Sequence, residues 1–232
     1  MHIMHMSSHL LNGVAIMSGQ IKKLADKWRQ YFPKNLVSIS AKNDHTVLCE
    51  ALNMVYDTYR EKNFAPGKIL DVGCGDGYSL TILRNYYPKA ELYGITINPK
   101  ESSLGETSYA LTQGKHILIM DMHNMDFDDN TFDTVYCRDV LEHSISPLIA
   151  LYEMNRVMKK DALLFLIIPD DRSIENDSHV YVLNDRQLRH IVSKAGFVVE
   201  SYSFRDYSKF NLGQNRYVLR KKEPAKYNQE GY

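Results

Sequence analysis

Two regimes of hydrophobic spacing meet near residue 66. Before it, apolar positions recur every three to four residues. Ile21, Leu24, Ala25 and Trp28 mark a helix over 21–31, and Val47, Leu48, Ala51, Leu52, Val55 and Tyr59 mark a second. Asp44 is placed to cap the second helix and Pro66-Gly67 to end it. Beyond Gly67, short apolar runs alternate with helical patterns. Strands are predicted over Lys68–Val72, Glu91–Thr96, His116–Met120, Phe132–Cys137 and Ala162–Ile168. Helices are predicted over Tyr78–Tyr87, Pro99–Thr112 and Pro147–Met158, and over Asn184–Ala195 with Gly196 as its stop. Strands over Phe197–Phe204 and Arg216–Arg220 then follow, joined by a loop around Lys209–Gln214 with no helix between them.

Strands that alternate with helices call for a parallel sheet covered on both faces. The last two strands add an antiparallel pair at one edge, so the expected fold class is a seven-stranded α/β sandwich. At 232 residues the chain fits one such domain with a helical appendage.

Charge and cysteine content narrow the functions this domain can serve. Lys plus Arg and Asp plus Glu both number 28, so the electrostatic footprint of a nucleic-acid binder is missing and no nucleic-acid partner is expected. Cys49, Cys74 and Cys137 form neither a disulfide framework nor a zinc-ligand pattern, which fits a reducing, cytoplasmic location. No apolar run approaches the ~20 residues a membrane span needs, so no stable membrane insertion is expected. Residues 1–17 lack the basic flank and cleavage site of a secretory signal and read as a disordered leader. Their His2, His5 and His9 are read as part of that leader, and no metal is assigned.

The sharpest chemical signal is Asp71-Val72-Gly73-Cys74-Gly75-Asp76-Gly77, where the first strand turns into a helix. Glycines there let the backbone turn tightly and approach a ligand, beyond the carboxyl end of a strand where open α/β sheets bind. A nicotinamide fingerprint requires a further glycine where Tyr78 stands, and a P-loop requires a Gly-Lys-Ser/Thr ending that is missing. A ligand without a pyrophosphate fits better.

From this loop onward the chain resembles the class I S-adenosylmethionine-dependent methyltransferases, over about Lys68 to Phe204. Asp71–Gly77 looks like their first motif, and Asp121-Met122 like the pair that recognises adenine. Asn130-Thr131-Phe132-Asp133, Leu141-Glu142-His143 and the helix Glu153-Met154-Asn155-Arg156-Val157-Met158-Lys159 follow in the family's order. The resemblance implies a Rossmann-like methyltransferase sandwich, mostly parallel with an antiparallel C-terminal strand. It also implies S-adenosylmethionine as cofactor, held by Asp71, Gly73, Cys74, Gly75, Gly77, Thr96, Glu101, Asp121 and Met122, and a small-molecule methyl acceptor. Residues 18–66 would cover the pocket, 67–222 form the cofactor-binding domain and 223–232 a tail.

Two departures stand out. Thr96 replaces the acidic residue that often closes the second strand, and the segment Gly94–Glu101 is similar to sterol and cyclopropane-fatty-acid methyltransferases. Glu101 then either accepts from the ribose diol or complements a helix dipole. Lys160-Asp161-Ala162 replaces a Pro-Gly-Gly turn before the fifth strand. Methyl transfer from a sulfonium depends mainly on alignment, with a base needed only where the acceptor must lose a proton. His143 is the candidate base, with a structural hydrogen bond as its other reading, and Asp139 is the candidate to orient it or to bind substrate. Asp170-Asp171 reads either as a contact for a cationic acceptor or as a solvated turn, and Tyr31, His45 and Tyr181 fall in segments that cover the family's pocket. The alternatives to a small-molecule methyltransferase are a lipid- or sterol-type methyl or methylene transferase and a non-catalytic S-adenosylmethionine-binding regulator.

Overall fold

The computed structural model describes residues 41–98, 115–174, 176–208 and 212–222, all within one compact unit, Val37–Tyr232. The helices expected over 21–31 and 99–112, the leader, the tail, Tyr31 and Glu101 lie outside the described residues, as do the side chains of Asp44 and His45.

In chain order the elements are α1 (Ala41–Glu61), β1 (Lys68–Val72), α2 (Tyr78–Tyr86), β2 (Glu91–Thr96), β3 (Lys115–Ile119) and β4 (Phe132–Arg138). Then come α3 (Pro147–Val157), β5 (Met158–Pro169), α4 (Asp185–Lys194), β6 (Phe197–Tyr207) and β7 (Leu212–Lys221). The sheet order is β3-β2-β1-β4-β5-β7-β6. Strands β1 to β5 pair in parallel, whereas β7 runs antiparallel to both β5 and β6. The final hairpin therefore places its second strand inward, leaving β6 at the edge. The burial pattern agrees: most of β7 is buried, while β6 exposes Tyr202 and Phe204.

Alternation along the central strands sorts side chains into two cores. Ile69, Tyr136, Phe165 and Ile167 meet Leu52, Val55, Leu80 and Leu83 of α1 and α2. Leu70, Val135, Leu164 and Leu166 meet Leu151 and Met154 of α3 and Leu188 and Val192 of α4. Burying each large aliphatic side chain contributes about 1.5–3 kcal/mol, enough to fix which face every strand turns to each helix pair. Among the described residues no helix is long and apolar enough to cross a membrane.

Lys160-Asp161-Ala162 is not a separate turn. Met158 leaves the helix in extended geometry (φ −80°, ψ 143°) and already pairs with Phe132, so β5 begins directly where α3 ends. The pairing then jumps from Phe132–Met158 to Thr134–Leu163, and the extra residues bulge outward with Asp161 at φ 61°. The wholly apolar run from Ala162 marks only the buried part of the strand, which is why its exposed beginning escaped the hydrophobic pattern.

Candidate functional site

The chain leaves β1 toward β2 and β3 on one side, then returns to β4 on the other. The connections that follow β1 and β4 thus lead to opposite sides of the sheet, and such a reversal opens a crevice beyond the carboxyl ends of the strands. The sequence-predicted residues gather on the loops that follow β1, β3 and β4.

After β1, the N–H groups of Gly73 and Cys74 both donate to the Ile95 carbonyl, at 2.9 and 3.0 Å, tying the loop to β2. Gly73 (φ 75°) and Gly75 (φ 55°) both sit in the left-handed region, but for different ends. A Cβ on Gly73 would lie 2.2 Å from Val140, so that glycine lets the β1 and β4 loops touch. A Cβ on Gly75 would meet nothing within 4 Å, and here the backbone faces open space. Cys74 turns inward instead: its sulfur would lie 2.5 Å from a Cβ on Gly94. Asp71 is buried beneath the loop and accepts a hydrogen bond from the Ser79 hydroxyl, joining β1 to the first turn of α2. Burial pushes its carboxyl up to about 7, against the opposing pull of the Ser79 bond and Arg138. Thr96 is also buried, and its hydroxyl accepts from the Asn98 N–H at 3.2 Å, closing a local turn at the end of β2.

After β3, Asp121 joins a chain of polar groups the sequence did not reveal. Its Oδ1 accepts from the His123 N–H at 2.9 Å and lies 2.6 Å from His123 Nδ1. His123 is only 6% exposed, so its second nitrogen must also be satisfied inside the protein. Nε2 lies 3.0 Å from the Ser144 hydroxyl, whose oxygen accepts from the Ser146 N–H at 3.0 Å. With Nδ1–H donating to Asp121, the Ser144 O–H donates to Nε2, and every member has a role. The β3 and β4 loops are thereby linked. Met122 is half-buried against the neighbouring core.

After β4, Asp139 takes φ 51° and accepts from Gln214 Nε2 at 3.3 and 3.2 Å, while Arg138 stands 3.6 Å away. Gln214 accepts in turn from the buried Arg216, which donates to the Tyr207 hydroxyl. Tyr207 donates to Glu50 of α1. Asp139 therefore ends a relay that ties the turn to β7 and α1. His143 is oriented by the Ser178 carbonyl, 2.8 Å from its Nδ1, which makes Nδ1 the N–H and leaves a lone pair on Nε2. Glu142 is buried, and burial together with Asp139 holds its carboxyl well above the usual range. Its backbone carbonyl accepts from the N–H groups of Val180 and Tyr181 at 2.8 and 3.0 Å. A small cavity lined by Leu141, Glu142, Ile168, Pro169, Tyr181 and Leu183 lies here. Asp170 is engaged by Arg172 at 2.7 Å, and Asp171 is exposed.

The residues that sequence reasoning passed over are His123, Ser144, Glu142 as a buried acid, His179 and Gln214. The contacts that join the loops, His123 to Ser144, His143 to Ser178 and Asp139 to Gln214, span 21 or more residues of chain, and only the fold assembles them.

A family model described as a methyltransferase domain matches residues 70–166. The malonyl-acyl-carrier-protein O-methyltransferase of Legionella pneumophila is 28% identical over 110 residues, covering 47% of this chain and 39% of that protein. The demethylmenaquinone methyltransferase of Staphylococcus aureus is 26% identical over 160 residues, covering 68% of this chain and 66% of that protein. The chain thus matches less than two thirds of the length of either relative. Among solved structures, the cyclase SpnF superposes with a TM-score of 0.62 at 18% identity, covering 75% of this chain and 82% of that one. That likeness is one of fold.

Proposed function

We propose that this chain, whose residues 70–166 match a methyltransferase-domain model, is a class I S-adenosylmethionine-dependent methyltransferase that transfers the cofactor's methyl group to a small-molecule acceptor held beside the turn Leu141–His143. The observation that carries this reading is the open face of Gly75, set in a glycine loop at the reversal point of the sheet. Backbone there can approach a ligand with no side chain between, which suits the methionine end of the cofactor. Asp121 fits the adenine end as an acceptor for an exocyclic amine, held in place by His123.

S-adenosylmethionine supplies an electrophilic methyl on a positively charged sulfur. The protein's part is to hold and align the acceptor, and to accept a proton where the acceptor carries one. His143 suits the second task, since the Ser178 carbonyl fixes its tautomer and leaves Nε2 as a lone pair. In this reading Asp139 acts through the turn it braces, by way of Gln214 and the relay to Glu50. The relatives' names, one for a malonyl group on a carrier protein and one for demethylmenaquinone, support an organic acceptor. The cyclase with the same fold shows that architecture alone does not set the reaction, so the reading rests on the site.

Calorimetry on the wild-type protein and on Gly75→Ala tests it. The wild type should bind S-adenosylmethionine and its demethylated product, with little affinity for NAD. In Gly75→Ala the new Cβ meets no protein atom, so only the left-handed backbone is strained, by about 1–2 kcal/mol; the variant should stay folded yet bind the cofactor at least tenfold more weakly. A wild type that prefers NAD, or a folded variant with unchanged affinity, would overturn the proposal.

A further inference from the structure

Glu142, His143 and His179 each offer a ligand atom, and these atoms all lie within 4.8 Å of one another. We propose that they form a binding site for a divalent transition-metal ion, of the zinc type, at the edge of the small cavity beside the turn Leu141–His143. Two histidines and a carboxylate are ligands of intermediate softness that suit Zn²⁺ and its neighbours rather than Mg²⁺ or Ca²⁺.

Three independent features aim these groups at a ligand. Glu142 is 4% exposed, and its Oε2 has no hydrogen-bond partner. A buried carboxylate oxygen without a donor costs free energy, and a cation in front of it would remove that cost. His179 Nδ1 is likewise buried without a partner. His143 already has the form a metal ligand requires. Its Nδ1–H is given to the Ser178 carbonyl, the kind of outer hydrogen bond that fixes a ligating ring, and Nε2 lies 4.0 Å from Glu142 Oε1.

The backbone holds the three together. Val180 and Tyr181 donate to the Glu142 carbonyl and Ser178 accepts from His143, so the strand of chain that carries His179 is stitched to the turn that carries the other two. The two imidazole rings stand edge to face with centroids 4.9 Å apart. Bonds of about 2.0–2.2 Å require the ligand atoms to close by roughly 1 Å, which side-chain rotation can supply. Three protein ligands leave a fourth position open, as in catalytic zinc sites. That position is available to an oxygen or nitrogen of the acceptor, whose acidity the ion would raise; with the ion bound, His143 Nε2 is a ligand and no longer the proton acceptor. This last role rests on the proposed methyl transfer, whereas the metal site itself does not.

The test uses the full chain with His2, His5 and His9 each replaced by alanine, which removes a competing set of histidines. Co²⁺ is titrated and followed by its visible ligand-field bands, with Zn²⁺ as competitor. The expected result is one Co²⁺ per chain, displaced by Zn²⁺, with affinity reduced at least tenfold by His179→Asn and by Glu142→Gln. Where Glu142→Gln fails to fold, His179→Asn on the surface loop decides. No saturable Co²⁺ binding, or binding unchanged by these substitutions, would overturn the site. S-adenosylmethionine affinity is measured on the same samples. Metal binding without cofactor binding would leave this site standing while removing the methyltransferase reading.

Discussion

At Asp71 a carboxyl that ordinarily titrates near 3.8 is pushed up to about 7 by burial, and this predicts a pH dependence of stability. Between about pH 4 and pH 7 the folded protein keeps a proton that the unfolded chain has released. Stability from this group is therefore greatest at the acid end and falls as pH rises through that window. Asp71→Asn retains an acceptor for the Ser79 hydroxyl but cannot ionise. Its stability relative to wild type should rise from pH 4 to pH 8, by an amount on the order of a few kcal/mol. Glu142 contributes a slope of the same sign in both proteins, so the difference between their urea-unfolding curves isolates Asp71. Parallel pH profiles for the two proteins would show that Asp71 does not titrate in this range. Single residues could be singled out as candidates from the sequence where chemistry and local order coincide, as at Gly75 and Asp121. The partners that give Asp121 its orientation were not, because His123 and Ser144 meet only when the β3 and β4 loops are brought side by side.

Among the elements, α3 shows why its Glu-x-x-Arg spacing recurs in a recognisable motif. Glu153 and Arg156 are one helical turn apart and bond each other at 3.0 Å. Arg156 also donates to the carbonyls of Met125 and Phe127, each at 2.7 Å, and Glu153 accepts from the Met125 N–H at 2.9 Å. The helix thereby clamps the segment just beyond Asp121-Met122. Lys159, at the start of β5, pairs with Asp133, which in turn accepts from the N–H groups of Gly67 and Lys68 and so ties β4 to the entry of β1. Arg156→Ala leaves two carbonyls and two carboxylates, Glu153 and Asp129, short of their donor, and should cost about 2–4 kcal/mol in urea unfolding. Through the loosened segment it should also weaken S-adenosylmethionine binding about tenfold. Arg156→Lys should recover little of either, because an ammonium cannot span the forked set of acceptors. Full recovery by lysine would mean that charge alone matters here. The same helix marks where hydrophobic pattern stops being informative: α3 ends at Val157, one residue short of the Met158 its periodicity implies, and β5 begins at once through polar residues that carry no strand signal.

For the molecule as a whole, the sheet joins three loops of separate origin into one site. The parallel pairing of β1 to β5 was implied by the alternation of apolar runs and helices, since parallel neighbours need crossovers, but the strand order was not. The inward position of β7 was not, because both hairpin strands are short of chemical markers and only their difference in burial tells them apart. That position braces a candidate site residue: Gln214 bonds Asp139 and accepts from Arg216, both on β7, and β7 stands directly beside β5. The loops after β1, β3 and β4 grow from one hydrogen-bonded sheet. Filling the site should therefore raise the stability of the whole domain rather than order a single loop. Cofactor at one hundred times its dissociation constant adds about 2.7 kcal/mol. For a domain of this size each kcal/mol moves the melting temperature by about 2–4 °C. A rise of about 5–10 °C is expected with S-adenosylmethionine in differential scanning calorimetry, as a single shifted transition. NAD at the same concentration should leave the transition in place. Two separated transitions in the presence of S-adenosylmethionine, with only one of them displaced, would show that the loops do not belong to one cooperative unit.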